Sequence, residues 1–230
     1  MGAVARVAVL AVLALGAIIG ALIGGQGLWL HWLCKPLATL WLIVWVAGMA
    51  VPGARQHYRC WVLAGLCLSL LGDVLLMLPH GLFVPGLVAF LLAHLCYIVA
   101  FVGDARSGSL LGGGLLAAAI GGGNLVALWP YLPADMQVPV SAYVLVIAAM
   151  AALALAAWLR TEATMANRLA AVGALLFVAS DSWLAWDRFA GPLPLAIVGV
   201  LLTYWAAQCA IAASVSAGVS SPSSLSSGPQ

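Results

Sequence analysis

The stretch Ala64-Gly65-Leu66-Cys67-Leu68-Ser69-Leu70-Leu71-Gly72-Asp73-Val74-Leu75-Leu76-Met77 is apolar enough to lie in lipid, yet it carries a carboxylate close to its C-terminal end. An ionised Asp near the centre of a bilayer helix costs about 2.5–3.5 kcal/mol on insertion scales, so such a residue faces a protein interior and finds a partner there. Phe177-Val178-Ala179-Ser180-Asp181-Ser182-Trp183-Leu184 repeats the anomaly at Asp181. Whether these stretches are membrane helices decides the fold, and composition answers it. The chain is 66% hydrophobic and 6% charged, with a mean hydropathy of +1.18. Soluble domains carry about 25% charged residues. Too few charges remain to cover a water-facing surface, and no soluble domain is left over.

Working outward from Asp73, runs of about 20 apolar residues cross a bilayer as helices. They fall near Val4–Ile23, Leu28–Ala47, Cys60–Leu78, Leu82–Val102, Leu110–Trp129, Val138–Leu159, Leu169–Trp186 and Leu193–Ser214. The expected fold is an all-α polytopic bundle of about eight transmembrane helices. It occupies residues 1–215, with a Ser/Gly/Pro-rich tail over 216–230 expected to be disordered. Short linkers carry turn residues: Gly24-Gly25-Gln26-Gly27, Pro52-Gly53, Pro79-His80-Gly81, Pro130 with Pro133, and Gly191-Pro192-Leu193-Pro194. The first run is longer than most signal-peptide cores and lacks a clear small-x-small exit, so it reads as a span.

Charge orients the chain. With the N-terminus cytoplasmic, Arg6, Arg55, Arg59, Arg106, Arg160 and Arg168 fall on the cytoplasmic side, and Lys35 and Arg188 fall towards the other. That is the positive-inside pattern, with both termini cytoplasmic, and the compact loops point to a bacterial inner membrane. Basic residues scattered between apolar spans form no patch that could follow a phosphate backbone, which excludes nucleic acid. Cys34, Cys60, Cys67, Cys96 and Cys209 form no CxxC pair, are odd in number and read as packing residues. No metal or cofactor is expected. His31, His57, His80 and His94 lack ligand spacing, and His57 and His80 read as loop residues. Gly112-Gly113-Gly114 and Gly121-Gly122-Gly123 are not followed by Lys-Ser/Thr, so they read as sites of close helix contact rather than phosphate loops. Trp29, Trp32, Trp129 and Trp186 read as interface anchors.

Depth carries the most information about function. Lys35, Asp73, Asn124 and Asp181 each lie a few residues from the outer end of their spans. At 1.5 Å of rise per residue they sit roughly 8–11 Å below one surface. Four helices thus offer polar groups at a single depth, as a polar cavity in the outer-leaflet half requires. Gly65 precedes Asp73 by the same interval as Gly173 precedes Asp181, a faint repeat consistent with two parallel four-helix halves. Two carboxyls facing each other there would share a proton, one protonated and one ionised near neutral pH, titrating as a pair. That arrangement suits acid chemistry on an acid-labile ether.

The surrounding residues admit two uses each. Lys35, followed by Pro36 at a helix start or kink, either binds a lipid phosphate, holds one Asp ionised, or snorkels. His94 and Tyr97 share a helix face, as do Tyr204 and Gln208, and are pocket residues or interhelical hydrogen-bonders. Ser69, Ser180 and Ser182 line the pocket or satisfy the carboxylates and backbone. No Gly-x-Ser-x-Gly elbow is present to make a serine nucleophile.

Together, Lys35-Pro36, Gly65-x-x-x-Ser69-x-x-Gly72-Asp73-x-x-Leu76-Met77, Phe90-x-x-x-His94-x-x-Tyr97 with Phe101, Gly173-Ala174-x-x-Phe177-x-x-Ser180-Asp181-Ser182 with Arg188-Phe189, and Tyr204-x-x-x-Gln208 resemble the lysoplasmalogenase-like (YhhN-type) membrane proteins. The likeness runs from about Leu33 to about Ala213 in the same order. Ala210-Ile211 stands where the family usually has Leu-Ile, and Trp183 and Trp186 make the surroundings of Asp181 bulky. The resemblance implies an eight-helix hydrolase that cleaves the vinyl ether of lysoplasmalogens to a fatty aldehyde and glycerophosphoethanolamine or glycerophosphocholine. Asp73 and Asp181 fall where the family's two acidic residues fall and would be catalytic. Lys35, Ser69, His94, Tyr97, Asn124, Ser180, Tyr204 and Gln208 would bind a lyso-plasmenyl substrate drawn from the membrane lipids. The competing reading is a small-molecule or proton-coupled transporter using the same Asp pair.

Overall fold

The structure, a computed structural model, describes residues 2–78, 81–105 and 107–217. It is all-helical: α1 (Ala3–Ile23), α2 (Leu28–Ala47), α3 (Gly53–Met77), α4 (Phe83–Val102), α5 (Ser107–Leu128), α6 (Ala134–Trp158), α7 (Met165–Phe189) and α8 (Ala196–Ala217). Each is long and apolar enough to cross a membrane, so the chain is an integral multi-pass membrane protein. Lipid supplies no hydrophobic drive for helices to associate, so close van der Waals contact and interhelical hydrogen bonds hold the bundle together.

Several helices extend past the apolar runs that mark them. Apolar sequence reports the lipid core, whereas the helix continues until its backbone is capped or broken. α3 begins at Gly53 and carries Arg55, His57 and Arg59 on its first turns. His57 is therefore helical, not a loop residue, and accepts a hydrogen bond from Trp61 Nε1 at 2.9 Å. α7 begins at Met165 behind a capping box: the Thr164 hydroxyl accepts from the Asn167 amide, and the Asn167 side chain accepts from Thr164. Pro36 lies in the interior of α2, not at a helix start. α8 continues through Ser216 to Ala217; the rest of the tail, with His80 and Arg106, lies outside the described residues. Among the cysteines, Cys34 and Cys96 are buried, but Cys60 and Cys67 face outward from the bundle as free thiols.

Successive helices pair as hairpins, α1 with α2, α3 with α4, α5 with α6 and α7 with α8. The hairpins then interlock in a matching way, α2 against α8 and α6 against α4. Absent side chains make the tightest approaches possible. A Cβ on Gly65 or Gly72 would strike the rings of Tyr97 or Phe90 on α4, and one on Gly173 would strike the α8 backbone at Ala207 and the side chain of Ile211. Of the two glycine triplets on α5, a Cβ on Gly113 would strike the α6 backbone and one on Gly121 would crowd Ala148, while one on Gly114, Gly122 or Gly123 would meet open space.

One end of the bundle is tied by charge. Arg55 pairs with Asp104 at 3.2 Å, donates to the Ser214 carbonyl at 3.0 Å and lies over the Tyr58 ring. Arg160 donates to the Asp104 carbonyl at 2.8 Å. These contacts join the ends of α3, α6 and α8 to the turn after α4. Gly173→Val should destabilise the bundle by about 1–3 kcal/mol through overpacking, read as a lower melting midpoint in detergent. Gly114→Ala, with open space around it, should hold the midpoint or raise it slightly, because Ala loses less backbone freedom than Gly on entering a helix.

Candidate active site

The end of the bundle away from Arg55 and Asp104 holds a cavity of about 240 Å³ walled by α2 to α8. Its polar lining is His31, Lys35, Asp73, Asn124, Tyr143, Ser180, Asp181, Ser182 and Tyr204. Most of the rest is aliphatic or aromatic, including Leu87, Phe90, Leu125, Leu128, Val140 and Val144. Both membrane-embedded carboxylates thus face one chamber.

Asp73 is almost completely enclosed, with 1% of its side chain exposed. A carboxylate in that position must have its oxygens answered, and three side chains from two helices do so. From α2, Lys35 Nζ lies 3.6 Å from Oδ1 and the Thr39 hydroxyl donates to Oδ2 at 2.6 Å. From α8, the Tyr204 hydroxyl donates to the same oxygen at 2.7 Å. Behind Tyr204 the chain of bonds continues, since Gln208 Nε2 donates to the Tyr204 hydroxyl at 3.4 Å and Tyr97 donates to Gln208 Oε1 at 2.7 Å.

Asp181 is held differently. The Tyr143 hydroxyl donates to its Oδ2 at 2.6 Å. His94 Nε2 stands 4.0 Å from that oxygen, beyond hydrogen-bond reach. The His94 ring is packed edge-on against Phe177 and Tyr143, and the ring of Phe177 meets that of Tyr204. A continuous aromatic wall therefore links the surroundings of the two carboxylates.

The substrate-binding residues expected from sequence divide into two groups. Lys35, Asn124, Ser180 and Tyr204 line the cavity. Ser69, His94, Tyr97 and Gln208 are fully buried and are not among the residues that line it. Ser180 spends its hydroxyl on the Val200 carbonyl at 3.1 Å, tying α7 to α8. Asn124 is a clasp between α5 and α7, donating to the Ser182 hydroxyl and accepting from Trp186 Nε1 at 2.8 Å. Trp186 thus completes the clasp between the two helices.

Thr39, Tyr143 and His31 are the site residues that sequence reading missed. Thr39 follows Lys35 by one helical turn and shares its face. Tyr143 precedes Asp181 by 38 residues, the interval that separates Lys35 from Asp73. That match in spacing was the available signal. His31 lines the cavity one turn before Lys35, its Nδ1 2.9 Å from the Ala17 carbonyl. Among the described residues, no three His, Cys, Asp or Glu side chains converge as metal ligands would.

The YhhN family model matches residues 30–215. Lysoplasmalogenase TMEM86B of Homo sapiens is 38% identical over 178 residues, covering 77% of this chain and 71% of the relative. The lysoplasmalogenase of Mycobacterium tuberculosis (strain CDC 1551 / Oshkosh) is 36% identical over 190 residues, 80% of this chain and 70% of the relative. Lysoplasmalogenase TMEM86A of Bos taurus is 35% identical over 193 residues, 79% and 75% respectively. No solved structure matches the chain.

Replacing Asn124 by Ala should release Trp186 and leave the Ser182 hydroxyl without its donor. The expected result is a changed Trp emission maximum and a stability loss of about 1–3 kcal/mol, measured by fluorescence and thermal melting in detergent.

Proposed function

The chain belongs to the YhhN family, and from that membership we propose that it is a lysoplasmalogenase, an ether-lipid hydrolase working inside the membrane. Its substrate on this reading is a lyso-plasmenyl phospholipid. The products are a fatty aldehyde and glycerophosphoethanolamine or glycerophosphocholine. The observation that carries the reading is that Asp73 and Asp181 line one chamber whose walls are mostly apolar, in a chain whose relatives are named lysoplasmalogenases.

The chemistry follows from the bond. A vinyl ether is inert to bases and nucleophiles but accepts a proton at its β-carbon, giving an oxocarbenium ion. One carboxylic acid delivers that proton and one carboxylate stabilises the cation, the division of labour used on glycosides. Water then adds to the cationic carbon and the hemiacetal collapses to aldehyde and alcohol. The apolar walls limit competing water and strengthen the field of the carboxylate. An amphiphile with one chain would enter laterally from the outer leaflet. Its phosphate head would rest near Lys35 and His31, and its alkenyl chain would run along Leu125, Leu128, Val140 and Val144. On the same reading the Arg-rich end of the bundle and both termini face the cytoplasm and the cavity mouth faces the other side of a bacterial inner membrane; the excess of Arg at that end supports it.

Purified protein in detergent should release aldehyde from lyso-plasmenyl lipid with no ion gradient and no added metal. Asp73→Asn and Asp181→Asn should each reduce that release by about 10²–10⁴-fold, the span of general acid–base contributions, measured on protein that still melts cooperatively. Turnover near the parent level in either variant would rule the acid-pair mechanism out.

A further inference from the structure

We propose that Lys35 and Tyr143 give the two acids fixed and unequal jobs: Asp73 is the standing anion and Asp181 is the proton donor. This deepens the vinyl-ether reading above and rests on it.

The inference comes from a broken symmetry. One offset along the chain relates Gly65 to Gly173, Asp73 to Asp181 and Lys35 to Tyr143. The helices carrying them pair alike, α2 with α3 and α6 with α7. Each carboxylate is therefore met by a side chain from the equivalent position of the preceding helix. In one half that side chain is an ammonium, and in the other it is a phenol. The first brings a full positive charge to its carboxylate; the second brings a single neutral donor.

The remaining contacts widen the difference. Asp73 takes two further hydroxyl donors, from Thr39 and Tyr204, so three groups favour its charged form. Asp181 takes Tyr143 alone, with His94 too distant to bond, and among the described residues its Oδ1 has no protein partner. Access differs in the same sense. The Asp181 side chain is 19% exposed where it meets the cavity, against 1% for Asp73. Proton transfer to carbon demands contact between acid and substrate. Stabilising a cation does not, because the Coulomb term falls only as the reciprocal of distance.

The step balances as follows. The Asp181 carboxyl gives its proton to the β-carbon, the alkene π pair forms the new C–H bond, and the ether oxygen lone pair closes the oxocarbenium ion opposite Asp73. Water adds to the cationic carbon and loses a proton to the Asp181 carboxylate, which restores the acid. The hemiacetal then passes its hydroxyl proton to the departing ether oxygen, releasing aldehyde and alcohol. Asp73 neither gains nor loses a proton. Lys35 is a positioning residue that keeps Asp73 charged, and Tyr143 is a positioning residue that turns Asp181 Oδ1 towards the ligand.

The test compares two unreactive lysolipids on the full-length chain in detergent: a saturated ether, and an analogue with a secondary ammonium in place of the ether oxygen as a mimic of the cation. Wild type should favour the ammonium compound. Asp73→Asn should lower that preference by about tenfold or more, as removing one partner of an enclosed charge pair does, whereas Asp181→Asn should keep it. Lys35→Met should lose the preference and Lys35→Arg should restore it, which a purely structural lysine would not produce. Should Asp73→Asn fail to fold, the Lys35 pair still decides the matter. Loss of the preference in Asp181→Asn but not in Asp73→Asn, or no difference between Lys35→Met and Lys35→Arg, would overturn the assignment. Aldehyde release by wild type is measured in parallel. Its absence would count against the vinyl-ether reading, while release together with an unmoved or reversed preference would count against the division of labour alone.

Discussion

A carboxylate closed inside a lipid-spanning bundle has to be answered by its own chain, and Asp73 is answered by Lys35, Thr39 and Tyr204. Those partners come from α2 and α8, so the same contacts that satisfy the charge also draw two distant parts of the chain onto α3. Leaving any one of them out would strand charge or hydrogen-bonding capacity inside the bundle. The bonds running back through Gln208 to Tyr97 extend the constraint to α4. Four helices are thereby set around one acid.

Glycine makes that convergence physically possible. Tyr97 and Phe90 can lie against α3 because Gly65 and Gly72 leave room for their rings, and α8 can lie against α7 because Gly173 leaves room for its backbone. Helices that approach this closely gain dispersion contacts, the principal attraction available in lipid. The Arg55, Asp104 and Arg160 contacts close the bundle at one end. At the other end α5 is attached through Asn124, Ser182 and Trp186, and the cavity occupies the space between. Structural and chemical roles are thus divided between the ends of the same helices.

The near-repeat of the two halves gives the site its character. Interlocking hairpins carry each Asp to a comparable place, so both acids face one ligand-sized space. Their partners differ, and two otherwise similar side chains acquire different surroundings. His94, Phe177, Tyr143 and Tyr204 form the packed aromatic wall that runs from one of those surroundings to the other.

Much of this was legible in the linear chain, because some residues are costly in lipid wherever they occur. Eight long apolar runs determined an all-helical membrane bundle, and a Lys, two Asp and an Asn at matched depth identified a polar chamber before any contact was known. Thr39 and Tyr143 could not stand out in that way, since a hydroxyl in a membrane helix can satisfy itself locally and carries little penalty. Helix starts such as Gly53 escaped as well, because apolarity marks the lipid core and not the capped end. Only the tertiary structure decided which groups touch the cavity and which stand behind it. Ser69, His94, Tyr97 and Gln208 share helix faces with cavity residues, yet their distance from a ligand depends on how neighbouring helices pack over them. The cost of burying a charge belongs to the residue and is written in the sequence; the partner that offsets it belongs to the packing, and appears only when the helices are brought together.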